Sequence, residues 1–255
     1  MNRYNFFLIL IGSLFFFSSC VSKKELLYLQ DIKNYNNSQV ISSQNILQEN
    51  DILKIDVTSL EMNASIPFNR SSISNGFGNN LQLLQISGYL VSPKKTINFP
   101  ILGEISVEGK TIIDLEKYLK EILKSEGHLI NPNVTVRLLN SKVTILGEVN
   151  RPGTYTFTEK NISLLQAIGL AGDLTIDGNR IDIVLIRESD GQRTTTKLDI
   201  TSASFLTSTY QNIKPNDVII VNPNSKKVKS AGLIGNISTA LSIASILLST
   251  IILIR

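Results

Sequence analysis

Two uncharged, mostly apolar runs, at 6–17 and 231–254, bracket a long stretch in which apolar and polar residues mostly alternate. Period-two alternation turns one face of a strand inward and the other toward water. It predicts strands at 52–57, 88–91, 96–99, 100–107, 134–138, 143–149, around Tyr155 and Phe157, and at 181–187, 194–200 and 218–221. Two segments switch to the helical period. Thr111, with Asp114 three residues on, is a capping-box variant, and Leu115, Tyr118, Leu119, Ile122 and Leu123 follow on one face. Gly127 is the expected stop. A shorter helix is predicted at 163–170, with Leu164, Leu165 and Ile168 inward and Gly172 just past its end.

Turn signals separate these elements. Residues 92–95 read as a turn, Arg151-Pro152-Gly153 as a type II turn, and Asp190-Gly191 as a type I′ hairpin. Asn50-Asp51 and Asn216-Asp217 each open a β-run, a short internal echo that reads as two turns. The Ser/Asn/Gly-rich segment 61–87 reads as an exposed loop, and 21–50 as a polar spacer with one short helix near 25–29. The globular part, ~170 residues, is long enough for one large or two small cores. The fold class expected is α+β, followed by a single C-terminal transmembrane helix.

The two apolar runs give the chain its address. The first follows Arg3 and leads into Ser18-Ser19-Cys20, a basic n-region, an apolar h-region and small residues before a cysteine. Residues 1–19 therefore read as a signal peptide, and Cys20 as the lipid attachment site and first mature residue. Cys20 is the only cysteine, so no internal disulfide is available. The second run, as helix, spans ~36 Å against a hydrocarbon core of roughly 30 Å. Within it Gly235, Ser238, Ser242, Ser245 and Ser249 step by three and four along one stripe. Small and hydroxyl residues in a stripe either pack helices closely in lipid or face water inside a ring of helices. Both readings require partner helices, so both predict a homo-oligomer. Lys226, Lys227 and Lys229 precede the span and mark its entry face.

Charge and candidate chemistry change the picture little. The formal net charge of +4 is weak and unclustered, which excludes nucleic acid as the partner. The single histidine, His128, lies at a helix end and reads as a cap. Asp51 and Asp217 read as turn formers, and Tyr89, Tyr118 and Tyr155 as core rather than sugar-stacking residues. There is no phosphate loop, metal-binding helix motif or nucleophile elbow. The expectation is no enzyme, no cofactor and no metal.

Several short patterns, in order, resemble the bacterial outer-membrane polysaccharide export family, the Wza-type translocon lipoproteins. Phe99-Pro100-Ile101-Leu102-Gly103-Glu104-Ile105 through Gly109-Lys110-Thr111 resembles the signature of its export domain, and Asn131-Pro132-Asn133-Val134-Thr135-Val136 follows. Gly147-Glu148-Val149 with Arg151-Pro152-Gly153-Thr154-Tyr155 resembles the start of a SLBB (soluble-ligand-binding β-grasp) domain, which 167–172 and 214–223 continue. The family's Asp-Gly turn is Lys94-Lys95 here, and its Ala-Gly-Gly is Ala171-Gly172-Asp173. A second SLBB copy, present in larger relatives, has no room before the apolar run.

The resemblance implies this organisation: signal peptide 1–19, lipidated N-terminus and spacer 20–47, export domain 48–139, one β-grasp-like SLBB domain 140–223, linker 224–230 and transmembrane helix 231–254. It implies a ring of about eight copies in the outer membrane, the bulk of the chain in the periplasm. The ring would pass capsular or exopolysaccharide outward and meet an inner-membrane chain-length/tyrosine-kinase protein. The competing expectation is a membrane-tethered SLBB module that binds a soluble glycan or envelope partner without forming a pore.

Overall fold

In a computed structural model, which describes residues 26–34, 45–70, 85–189, 191–231, 241–246 and 249–250, the alternating segments become a three-stranded sheet, a five-stranded sheet and two two-stranded pairs, packed around two separate cores. The first unit contains β1 (Ile52–Thr58), α1 (Met62–Ser65), β2 (Tyr89–Leu90), β3 (Thr96–Phe99), β4 (Gly103–Ser106), α2 (Ile112–Ser125) and β5 (Asn133–Leu138). β1 lies between β2 and β5, antiparallel to both, and β3 and β4 form a hairpin. Leu53, Ile55 and Val57 of β1 face inward, as the alternation requires. The capping box of α2 forms: Asp114 N–H donates to the Thr111 hydroxyl at 3.2 Å and Thr111 N–H to the Asp114 carboxylate at 3.1 Å. Such a cap is worth about 1 kcal/mol. Leu115, Leu119 and Leu123 are fully buried, each stabilising the fold by roughly 1.5–3 kcal/mol.

The second unit contains β6 (Lys142–Gly147), β7 (Gly153–Thr156), β8 (Ile162–Ser163), α3 (Leu164–Leu170), β9 (Gly178–Ser189), β10 (Gln192–Leu198), β11 (Asn212–Ile213), β12 (Val218–Pro223) and α4 (Ser225–Ser230). Its five-stranded sheet runs β10-β9-β12-β6-β7, parallel between β12 and β6 and otherwise antiparallel. β8 and β11 form a separate pair. Ser163 and Gln166 make the capping box of α3. The helix ends with Gly172 N–H on Gly169 O and Asp173 N–H on Ile168 O, a Schellman closure.

This register gives the second unit two ends. The junction end holds Lys142, the start of β12 and Ser189, next to the end of β5. The distal end holds Gly147, Pro223 and Gly178. β6 separates them by about 17 Å.

The structure departs from the sequence expectations at several places. Gly153 does not adopt the positive φ that a type II turn needs; it already pairs with Ile145 as a strand residue. Gly147 carries the left-handed conformation instead, at φ 89°. The connection after it is drawn onto the end of α3, where Arg151 N–H reaches Ala171 O and Asn150 Nδ2 reaches Gly172 O at 2.7 Å. The strand expected from 100 begins at Gly103, because Ile101 at φ 66° makes a turn. Segment 61–87 is not wholly an exposed loop. Residues 62–68 are helical, Phe68 is buried, and Asn69 pairs with the backbone of Val57 through both side-chain ends at 2.8 Å. The helix expected at 25–29 is absent from 26–29, which form turns, and a 3₁₀ turn follows at Ile32–Asn34. Tyr118 is exposed, with the Lys110 ammonium 4.9 Å from its ring centre.

Among the described residues no helix is long and apolar enough to cross a membrane. Of the expected span 231–254, residues 241–246 and 249–250 are described and helical. The greater part of the span and the leader with Cys20 lie outside the described residues.

Gly147 tests the central packing. A Cβ there would lie 2.1 Å from Val221 O, across the parallel pair, and its φ is already unfavourable for other residues. Gly147→Ala should cost about 3 kcal/mol. Gly191→Ala, also at positive φ but with open space around it, should cost about 1 kcal/mol. Urea unfolding of the two detergent-solubilised variants checks the difference; equal midpoints would contradict this packing account.

Candidate functional site

Where the two units meet, a cleft of about 420 Å³ opens between the segment before β1, the start of α2, the end of β9 and the turn before β12. Its wall is polar at Gln48, Thr111, Asn161 and Lys214 and apolar at Ile112 and Pro215. Ser189 and Lys214 also border a wider depression of about 560 Å³ that extends to Tyr210. Asn45 lines the cleft, and its buried Oδ1 has no hydrogen-bond partner among the described residues.

Two turns of one design flank this cleft, and they are the internal echo of the sequence. Asn50 and Asn216 adopt φ 68° and 67°. The following aspartates donate N–H to Gln48 O and Lys214 O, both at 3.2 Å. Their carboxylates accept the N–H of the same residues, both at 2.8 Å. Asparagine suits the left-handed position because its short polar side chain tolerates it. Asn140, between the units, donates to Asn50 O at 2.8 Å and accepts from Ile52 N–H at 2.9 Å, which fixes the first turn to the junction.

The twin turns differ in charge. Asp217 receives Arg187 in a bidentate pair, Nε to Oδ1 at 2.9 Å and Nη2 to Oδ2 at 2.7 Å, with both residues buried. Arg187 also donates to Asn212 O at 3.0 Å, which links the turn to β11. Asp51 is equally buried, and among the described residues no ion pair reaches it. Burial pushes its carboxyl up to about 6, against the opposing effect of the Gln48 N–H.

The distal end carries a second constellation. Tyr28 donates its hydroxyl to Asp173, and Leu29 and Gln30 donate N–H to Ile200 O and Thr201 O at 3.1 and 2.7 Å. Asp31 accepts from the Ser202 hydroxyl at 3.0 Å and from Ala203 N–H. The expected spacer is therefore, at 28–31, a strap on the second unit. Burial, with help from Asp173, pushes the Tyr28 hydroxyl up to about 12. The buried Arg180 guanidinium lies 5.3 Å from the Tyr28 ring centre. Asp173 has φ 75°, at the position where the resemblance expects glycine, and its carboxylate also accepts Leu174 N–H at 2.7 Å.

The residues singled out in the sequence are not brought to one place. Cys20, Gly235 and Ser238 lie outside the described residues. Ser245 Oγ donates to Ser242 O at 2.9 Å and Ser249 Oγ to Ser245 O at 2.7 Å. Such back-bonding lets a hydroxyl face an apolar medium without an unmet donor. Tyr89 is core, stacked on Phe99 at 5.5 Å, and Tyr155 caps its own connection by donating to Arg151 O. His128 is not a helix cap: its Nε2 meets Glu126 at 3.1 Å and its ring tilts on Phe68 at 5.6 Å. Among the described residues no group of His, Cys, Asp and Glu is placed to hold a metal ion. Arg187, Tyr28 and Asp31 were not foreseen. The repeated Asn-Asp was the one available signal, and it marked the turns without naming the cation.

The two aspartates should respond oppositely to neutralisation. Between about pH 4 and 6 the folded chain holds a proton on Asp51 that the unfolded chain has released, so stability falls as pH rises through that window. The loss approaches about 3 kcal/mol above it. Asp51→Asn keeps the acceptor for Gln48 N–H; it should remove this fall and raise stability at pH 7. Asp217→Asn leaves Arg187 buried without its counter-charge and should cost about 4 kcal/mol. Urea unfolding at pH 5 and 7 checks both; a stabilising Asp217→Asn or a destabilising Asp51→Asn at pH 7 would contradict the account.

Comparison with known proteins divides the chain at the same junction. Residues 39–139 match the family described as polysaccharide biosynthesis/export protein, and 142–197 match the SLBB domain. The EPS I polysaccharide export outer membrane protein EpsA of Ralstonia nicotianae is 35% identical over 103 residues, which is 38% of this chain and 26% of that protein. Its counterpart in Ralstonia solanacearum is 30% identical over 105 residues, covering 38% and 27%. The exopolysaccharide production protein ExoF of Rhizobium meliloti is 30% identical over 92 residues, covering 35% and 22%. The matched region spans about a quarter of the length of these relatives. The chain thus carries a polysaccharide biosynthesis/export domain followed by a SLBB domain, and in its matched region it is similar to outer-membrane polysaccharide export proteins.

Proposed function

We propose that this protein is a subunit of an outer-membrane translocon that passes capsular or exopolysaccharide from the periplasm to the cell surface, with no chemistry of its own. The observation that carries this reading is the succession of export and SLBB domains, shared in part with relatives named polysaccharide export outer membrane proteins. Cys20 carries the lipid anchor, and 231–254 crosses the membrane beside the same helix of neighbouring copies. The serine stripe, with hydroxyls turned back onto the helix at Ser245 and Ser249, suits close helix packing. The ring of about eight copies and the inner-membrane chain-length/tyrosine-kinase partner follow from the family resemblance. A second reading, a tethered module that binds a soluble glycan, is favoured by the cleft between the units.

The native mass of protein extracted in detergent from separated outer membranes separates the two. A large discrete oligomer that is lost without 231–255 is expected; a monomer with and without that segment would overturn the ring. Ser242→Leu with Ser245→Leu should reduce the oligomer if the stripe packs. If the stripe lines water, assembly persists and surface polysaccharide falls. Unchanged assembly and export would remove both roles from the stripe.

A further inference from the structure

The distal end of the second unit joins the two ends of the described globular part. The incoming chain is held there by the Tyr28 hydroxyl on Asp173. The outgoing chain is held four residues further along the same loop. Asn224 N–H donates to Asp177 O at 2.7 Å, and Lys227 Nζ to the Asp177 carboxylate at 3.2 Å. Between these two attachments Ile176 is 72% exposed, and on α4 the side chain of Val228 is 59% exposed between Lys227 and Lys229. Cys20 is eight residues before Tyr28, within ~28 Å of it even when fully extended. The apolar run starts at Ala231, the residue after α4.

We propose that loop 172–178 and α4 form a bilayer-docking surface. Ile176 and Val228 enter the interfacial layer, and Lys226 and Lys229 meet anionic phospholipid headgroups. The proposal rests on the reading that Cys20 and 231–254 are membrane anchors. Given two anchors, a loop bonded to both adjoining segments is brought to the membrane surface. Single apolar side chains set among lysines match that interface, where apolar tips gain burial and ammonium groups stay hydrated beside phosphate. The opposite pole is the first unit. β6 starts at the junction and ends beside this loop, and β5 runs from Asn133 toward the junction. Ile130, 72% exposed just before β5, therefore marks the end remote from the membrane.

The test uses the full acylated chain, in which Cys20 is the only native cysteine, so an introduced thiol is the one free to react. Ile176→Cys and Ile130→Cys are each labelled with a polarity-sensitive fluorophore. They are reconstituted into vesicles of phosphatidylethanolamine and phosphatidylglycerol containing brominated phospholipid. Expected are a blue shift and a loss of fluorescence at 176, with neither at 130. Lys226→Gln with Lys229→Gln should weaken the quenching at 176 in these vesicles and change it little when the lipid is wholly zwitterionic. If the protein floats with the vesicles while the label at 176 is quenched by aqueous iodide as readily as that at 130, the docking surface is overturned and the anchors stand. A label at 176 shielded from both quenchers means a second copy covers the loop, which also overturns it. Protein that fails to float overturns the anchor reading and this inference with it.

Discussion

The parallel pairing of β6 with β12 is the constraint on which the rest of the second unit depends. Parallel neighbours cannot be joined by a tight turn, so the chain between them must travel the length of the sheet and return. Here the crossover carries β7, α3, the β9–β10 hairpin and the β8–β11 pair, and its apolar residues form one core around the pair. The pairing also requires the backbone of Val221 to approach residue 147 closely, which leaves space there for hydrogen alone. Because β12 runs with β6, the chain leaves the sheet at the end opposite the junction. The two ends of this unit therefore have different neighbours: one meets the first unit, the other receives the strap and releases α4.

Much of this was legible in the residues, for identifiable reasons. The strands of the first unit and the Thr111–Asp114 capping box depend on local pattern, and local pattern is what a single sequence carries. The Asp190-Gly191 signal placed the β9–β10 hairpin in register, with Ser189 opposite Gln192. The type II reading of Arg151-Pro152-Gly153 failed because the last carbonyls of α3, some twenty residues away, hold that connection. Tyr28 and Asp31 read as spacer because their partners, Asp173 and Ser202, are remote in sequence. The burial of Phe68 was hidden for the same reason: the segment shows no period of its own, and Asn69 holds it on the distant β1.

The junction illustrates how one backbone design serves two electrostatic ends. Both Asn-Asp turns supply the same internal hydrogen bonds, and the echo in the sequence reported that geometry faithfully. What it did not report is the third residue, Arg187, which arrives from β9 and belongs to one copy only. The cleft thus lies between a carboxylate paired with a buried guanidinium and one that desolvation pushes up to about 6. The departure at Asp173 has a similar logic. A residue with φ 75° replaces the glycine that the family pattern leads one to expect, and the side chain it adds is the acceptor for Tyr28.

The strap has a consequence for the order in which the molecule is completed. Leu29 and Gln30 bond to residues about 170 positions later in the chain, the longest-range backbone contacts described in the molecule. A contact of that separation forms late, because loop-closure entropy must be overcome before any bond repays it. The first of the globular residues to be synthesised are thus the last to settle, and the strap closes only on a second unit whose sheet is already in place.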